Sequence, residues 1–166
     1  MSDPEPSVAA LSELPLWELS ARERIRHTVA AYTIAGDSFR LDDLAAQFTE
    51  DGVLEVHGQE TAQGRAAIVE MLGRHGSAGA PDNGGGPFFI RHFVANVLIQ
   101  SLTPSEARAV AYFAVFTPIG PDHWGRYRDE FVPVGDRWLL RRRTARVDAS
   151  VPGSWYRRTF GPPQPG

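Results

Sequence analysis

The sequence predicts an α+β fold in which three N-terminal helices close one side of a curved, mostly antiparallel sheet, leaving a cone with a cavity between the two layers. Three observations lead there. Up to about Arg74 the apolar side chains recur at helical spacing, interrupted by one short alternating segment. From Phe88 onward the chain reads as successive strands, separated by turn residues at Pro104-Ser105, at 118–121 and at Gly135-Asp136. With 166 residues, 42% hydrophobic and 22% charged, there is material for one real core and none for a second full domain.

Residues 1–11 are acidic and Pro-containing and are expected to form a mobile tail. They lack the basic start and apolar run of a signal peptide, and no stretch of the chain approaches the roughly 20 apolar residues a membrane span needs. The expected location is therefore cytoplasmic. The domain itself is expected at 12–148, followed at 149–166 by a Pro- and Gly-rich tail whose Trp155 and Tyr156 can dock on the body.

The motif Ser20-Ala21-Arg22-Glu23 reads as a capping box that starts a helix with Ile25, Val29 and Tyr32 on one stripe, and Gly36 stops it. Leu41, Leu44 and Phe48 mark a short second helix. Asp51-Gly52 turns the chain into a strand at 53–57, and a third helix at 64–74 directs Ile68, Met71 and Leu72 to one side. The run at 76–87, GSAGAPDNGGGP, is long for a connection inside a compact domain and is expected to be a loop or lid. Strands follow at 88–100, 107–117, 124–133 and 137–147.

The strand at 88–100 carries the functional signal. Period-two alternation puts Ile90, His92, Val94, Asn96 and Leu98 on one face, and Phe89, Arg91, Phe93, Ala95 and Val97 on the other. The first face is apolar except for His92 and Asn96, and leaving either unpaired in a core costs roughly 1–3 kcal/mol. Each needs a buried partner or a ligand. Asp37 follows the stop of the first helix and reaches His92 if that helix covers the inner face of the sheet. A carboxylate on one imidazole nitrogen fixes the tautomer and leaves the other nitrogen as a base. A turn-capping role for Asp37 and a hydrogen-bonded core role for His92 are the structural alternatives.

Composition narrows the chemistry. The chain has no Cys and no Lys, which removes disulfides, thiolate nucleophiles and lysine Schiff bases. Its net charge of -3 comes from interspersed acids and arginines, so there is no electrostatic footprint for nucleic acid. The glycines at 84–86 follow no strand and open no helix, so they do not form a phosphate cradle. His57, His75 and His123 share no ligand spacing and read as surface residues, and neither a metal nor a cofactor is expected. Tyr112 and Trp124 lie on strands that can face the cavity and contact a ligand, with a core or interface position as the alternative. The opposite sheet face, with Phe89, Phe93 and Val97, needs covering, and a homodimer through the sheet is expected.

The order of Tyr32 to Asp37, FTEDGVLEVHG from Phe48, GRAAI from Gly64, RHFVAN from Arg91, GRYRDEF from Gly125 and Asp136-Arg137-Trp138 resembles the SnoaL-like branch of the nuclear transport factor 2-like superfamily, over residues 20–148. The resemblance implies a cone of three helices on a strongly bent mixed sheet with an internal pocket. For chemistry it implies an Asp–His dyad that works without cofactor or metal, as in scytalone dehydratase, bile acid 7α-dehydratase and hexachlorocyclohexane dehydrochlorinase. Asp37 and His92 stand at the dyad positions, and Tyr32 at a site beside the substrate. Arg143, five residues past Trp138, matches a pocket arginine, with a surface strand position as the alternative. The function then expected is a lyase or isomerase (dehydratase, double-bond isomerase or cyclase) acting on a small hydrophobic, cyclic or polyketide-like molecule. His92 would take a proton from carbon while Tyr32, Asn96 and Arg143 hold the oxygen where charge develops. The alternative is a noncatalytic binder of small molecules or an assembly subunit, like the small subunits of ring-hydroxylating dioxygenases.

Overall fold

In the computed structural model, residues 14–75 and 89–163 are described. The expected tail at 1–11 and loop at 76–87 lie outside them.

Helix α1 (Leu16–Asp37) starts four residues before the capping box, because Pro15 stands at its boundary with φ -55° already suited to entering a helix. Ser20 is consequently mid-helix, where its hydroxyl accepts from Arg24 Nε at 3.1 Å. Ala21, Ile25, Thr28 and Val29 form the buried stripe, and the Thr28 hydroxyl donates to the Trp138 carbonyl at 2.6 Å. The helix continues one residue past Gly36, so Asp37 is its last residue. Phe39, at φ 54°, turns the chain into α2 (Leu41–Ala45). Phe48 belongs to β1 (Phe48–Val56) and not to that helix, and its side chain is fully buried. The short β2 (Glu60–Gln63) was not expected from the sequence; it pairs antiparallel with β1 before α3 (Arg65–His75).

The remaining strands are β3 (Arg91–Leu102), β4 (Ala107–Thr117), β5 (Gly120–Val134) and β6 (Arg137–Ser150), followed by α4 (Trp155–Phe160). The sheet order is β2-β1-β6-β5-β4-β3, with only β1 and β6 parallel. Its ends do not meet, so the sheet is open, and its inner face is covered by helices, α1 against β3 and β6 and α3 against β1 and β2. Ile25, Val29, Phe48, Leu54, Phe131 and Leu140 make the main core. A second cluster joins Ile90, Phe113, Val115, Tyr127 and Val147 to Trp155 and Tyr156 of α4. The chain beyond Asp148 is thus in large part structured: β6 runs on to Ser150, and α4 is capped by Ser154, whose hydroxyl accepts from the Arg157 amide at 3.1 Å.

Three irregularities decide which side chains point inward. In β3, Asn96 adopts φ 54° where the register against β4 shifts between Ala95 and Leu98. Such a bulge gives two residues the place of one and inverts the alternation after it. In β5, Val115 pairs with His123 and Phe116 with Pro121, so Asp122 has no partner across the ladder. Further along, Gly125 passes so close to β6 that a Cβ there would sit 1.9 Å from the Arg146 carbonyl oxygen. Among the described residues no helix is long and apolar enough to cross a membrane.

Candidate functional site

The end of α1 and the start of β3 are joined through one residue. Asp37 closes the helix, its carbonyl accepting from Arg91 Nη1 at 3.1 Å, which places a cation at the helix C-terminus. Its carboxylate accepts from the His92 backbone N–H, at 2.9 Å for Oδ2, and lies 2.6 Å from His92 Nδ1 through Oδ1. An ionised carboxylate only accepts, so in the neutral ring it is Nδ1 that carries the proton and Nε2 that has the lone pair. The Asp37 side chain is 7% exposed and that of His92 23%. The imidazole is therefore buried on its bonded side and open on the other.

What it opens onto is a cavity of about 160 Å³ between helices and sheet, lined among others by Tyr32, Leu54, Ile90, Phe113, Tyr127 and Trp155. This is the scale of an engineered cavity of roughly 150 Å³ that holds one benzene. Phe113 stacks on Tyr127 with centroids 4.6 Å apart. The C-terminal helix supplies one wall through Trp155, Tyr156 and Phe160.

His123 also lines this cavity, which corrects its assignment to the surface. It is 6% exposed, and its Nδ1 lies 2.8 Å from the carboxylate of Asp122, which is fully buried. Asp122 in turn accepts from the backbone N–H of Trp155 at 2.6 Å and of Tyr156 at 3.1 Å. Burial alone would raise its pKa, but the hydrogen bonds from His123 and from the two amides outweigh it and hold the carboxyl below the usual range. Burial lowers the pKa of His123 despite the acid beside it. Two consecutive side chains face inward because the bulge at Asp122 suspends the alternation. The available signal was Pro121, which cannot donate to a ladder and so marks an irregular strand. His57, by contrast, is half-exposed near Glu55, and the side chain of His75 lies outside the described residues.

The residues expected to contact a ligand divide. Tyr32 lines the cavity. Its hydroxyl is raised in pKa by burial, against the lowering effect of Arg143. Asn96, Tyr112 and Trp124 do not line it. The bulge turns Asn96 to the outer face of the sheet, where it shares a groove with Leu98 and Tyr112. Tyr112 and Trp124 are 59% and 42% exposed, since inward positions on their strands fall to Phe113 and His123.

Arg143 is neither at the surface nor in the cavity. It is fully buried beneath the floor, gripping Asp129 with Nε at 2.8 Å and Nη2 at 2.6 Å. Its guanidinium lies between the rings of Tyr32 and Tyr127, 4.2 and 4.1 Å from their centroids. Burial works against the charge, and the Asp129 carboxylate more than offsets it, raising the pKa. The two tyrosine rings thus rest on a fixed cation. Among the described residues no three His, Cys, Asp or Glu side chains converge as metal ligands.

An open mixed sheet with helices across its inner face and a cavity between the layers is the architecture of nuclear transport factor 2-like proteins. One such protein with a cystatin-like fold, from Novosphingobium aromaticivorans, superposes with a TM-score of 0.64 at 26% identity over 78% of this chain and 82% of that one. The chain belongs to the SnoaL-like domain family, whose model matches residues 17–144. Its fold is also similar to that of a candidate scytalone dehydratase from the same organism (22% identity, TM-score 0.65, covering 81% of this chain and 88% of the other). Likewise it is similar to ActVI-ORFA from Streptomyces coelicolor (22%, 0.64, covering 76% and 96%). No curated protein matches the chain.

Proposed function

We propose that the chain is a lyase- or isomerase-type enzyme, a dehydratase, double-bond isomerase or cyclase, that needs no cofactor for its proton transfer and acts on a small hydrophobic ring. The observation that carries this reading is the Asp37–His92 pair, 2.6 Å apart, with its imidazole edge turned to an apolar cavity. In the proposed step His92 Nε2 takes a proton from a carbon next to a carbonyl. The C–H bond breaks, its electron pair passes into an enolate, and the imidazolium formed is stabilised by Asp37. In a dehydration the enolate pair then expels a β-hydroxyl, which leaves as water by taking the proton back from the His92 imidazolium, so that the neutral base is restored. In an isomerisation the proton returns at another carbon. The Tyr32 hydroxyl is the group for the developing oxyanion, and the cation beneath its ring supports negative charge there.

The cavity volume supports a substrate that places one ring, or one ring of a larger polyketide-like skeleton, inside. A direct test uses 3-hydroxycyclohexanone in deuterated water, following α-hydrogen exchange by NMR and enone formation by absorbance. Both are expected for the wild-type protein and are expected to vanish in His92→Gln. Equal rates in the two proteins would eliminate the base from the account and leave a ligand-binding role.

The proposal includes a homodimer through the outer sheet face. Phe93, Leu98, Tyr112 and Trp124 support it, being 62%, 59%, 59% and 42% exposed on that side. Val97, first assigned there, is turned inward by the bulge at Asn96 and packs against the main core.

A further inference from the structure

We infer that His123 is a second recognition point of the cavity, its Nε2 accepting a hydrogen bond from a hydroxyl of the bound molecule, so that the ligand class is a small uncharged ring carrying a hydroxyl group. The inference rests on the cavity being the ligand site proposed above. It does not depend on His92 acting as a base.

The geometry fixes the polarity of this nitrogen. Asp122 is held as an acceptor by three donors, namely the His123 ring and the amides of Trp155 and Tyr156. A carboxylate so committed obliges His123 Nδ1 to carry the ring proton, which leaves Nε2 bare. Burial lowers the pKa of His123 and so favours the neutral ring. The ring is wedged between Phe113, with centroids 6.0 Å apart, and Tyr156, at 4.9 Å, so it cannot swing away to find another donor. Among the described residues nothing donates to Nε2, and the ring forms part of the cavity wall.

A bare acceptor fixed in a largely apolar wall discriminates by chemistry. It favours a ligand that brings an O–H, and it disfavours a carboxylate or phosphate, whose oxygens would meet a lone pair, with no Lys or Arg among the described residues of the cavity wall. Arg143 is under the floor and committed to Asp129. The Asp122 carboxylate that sets this nitrogen is also what fastens α4, so the wall of the cavity and its polarity are established by one side chain.

The test is a binding comparison of phenol with benzene, by NMR titration, in a His92→Phe background where His123 is the remaining imidazole acceptor. Phenol is expected to bind about tenfold more tightly than benzene there, the effect of one hydrogen bond, and the preference is expected to disappear in the His92→Phe/His123→Phe double variant. A preference that survives in the double variant overturns the assignment. So does its absence from His92→Phe. A second measurement leaves the chain unaltered: nitrogen–proton correlation of the wild-type imidazoles is expected to give His123 as the Nδ1–H tautomer, with its Nε2 resonance moving when phenol is added. An Nε2–H tautomer, or a resonance that phenol does not move, overturns it as well. Loss of exchange activity in His92 variants with the phenol preference intact separates this inference from the base assignment, since each can fail alone.

Discussion

Asp37 holds His92 at two points, one carboxylate oxygen 2.6 Å from ring Nδ1 and the other 2.9 Å from the backbone N–H. The same side chain therefore docks a strand on a helix and orients an imidazole. These two roles can be separated experimentally.

Asp37→Asn keeps an acceptor for the His92 amide but removes the charge that stabilises an imidazolium. The exchange rate is expected to fall by about 10² or more, with affinity for the ketone little changed and unfolding free energy lowered by only about 1–3 kcal/mol. Urea denaturation and kcat measured on the same sample decide it. A loss of stability with kcat intact would make the pair purely structural.

The Arg143–Asp129 pair is expected to behave as a buried ion pair whose halves cannot be removed singly. Asp129→Ala leaves a guanidinium uncompensated between two tyrosine rings and should cost about 3–5 kcal/mol. The double variant Asp129→Ala/Arg143→Met should be less damaged than Asp129→Ala. Their unfolding free energies, compared with that of Arg143→Met alone, give the coupling directly.

Acid should weaken the fold in two stages. The pKa of His123 is lower in the folded chain than the ordinary 6.5, so on acidification the unfolded state takes up that proton first. Stability from this group is complete above about 6.5 and is lost as the pH falls through the folded value. Asp122 is likewise held below its ordinary 3.8, and its contribution is lost only at more acidic pH. Denaturation midpoints between about pH 8 and pH 5 should therefore decline in the wild type. They should be flatter in His123→Phe.

Gly125→Ala tests the close passage of β5 over β6. With a Cβ 1.9 Å from the Arg146 carbonyl oxygen, backbone must move against backbone, and a loss of about 2 kcal/mol or more is expected in thermal or urea unfolding. Gly120→Ala is a poor control because its φ of 111° is strained for any L side chain.

The outer face should yield to charge. Phe93, edge-on to Phe116 at 5.1 Å, is 62% exposed, more than Leu98, Tyr112 or Trp124. Light scattering is expected to give twice the chain mass for the wild type and the single-chain mass for Phe93→Glu. A wild-type monomer at all accessible concentrations would remove the dimer.

Much of this architecture was legible before any coordinates. The helical stripe of Ile25, Val29 and Tyr32 and the turn residues between strands are local signals, and local signals survive folding because they reflect backbone preference and one buried face. His92 was readable for a related reason, as a polar side chain on an otherwise apolar face that has to find a partner, and Asp37 as the acid directly after a helix stop. The boundaries of α1 moved because proline and the capping box competed for its start. The short β2 was missed because four residues carry almost no periodicity.

What the chain alone determined is the α+β layout, the absence of thiol and lysine chemistry, and the identity of one acid and one imidazole able to meet. What the tertiary structure decided is everything downstream of a bulge: Asn96 and Leu98 outward, Val97 inward, and Asp122 and His123 both buried, with His123 on the cavity wall. It also sent Arg143 beneath the floor and brought α4 round as a wall. The reason is geometric. Alternation assigns a face only while each residue has a single partner across the ladder, and whether that holds is set by the neighbouring strand, which lies elsewhere in the sequence.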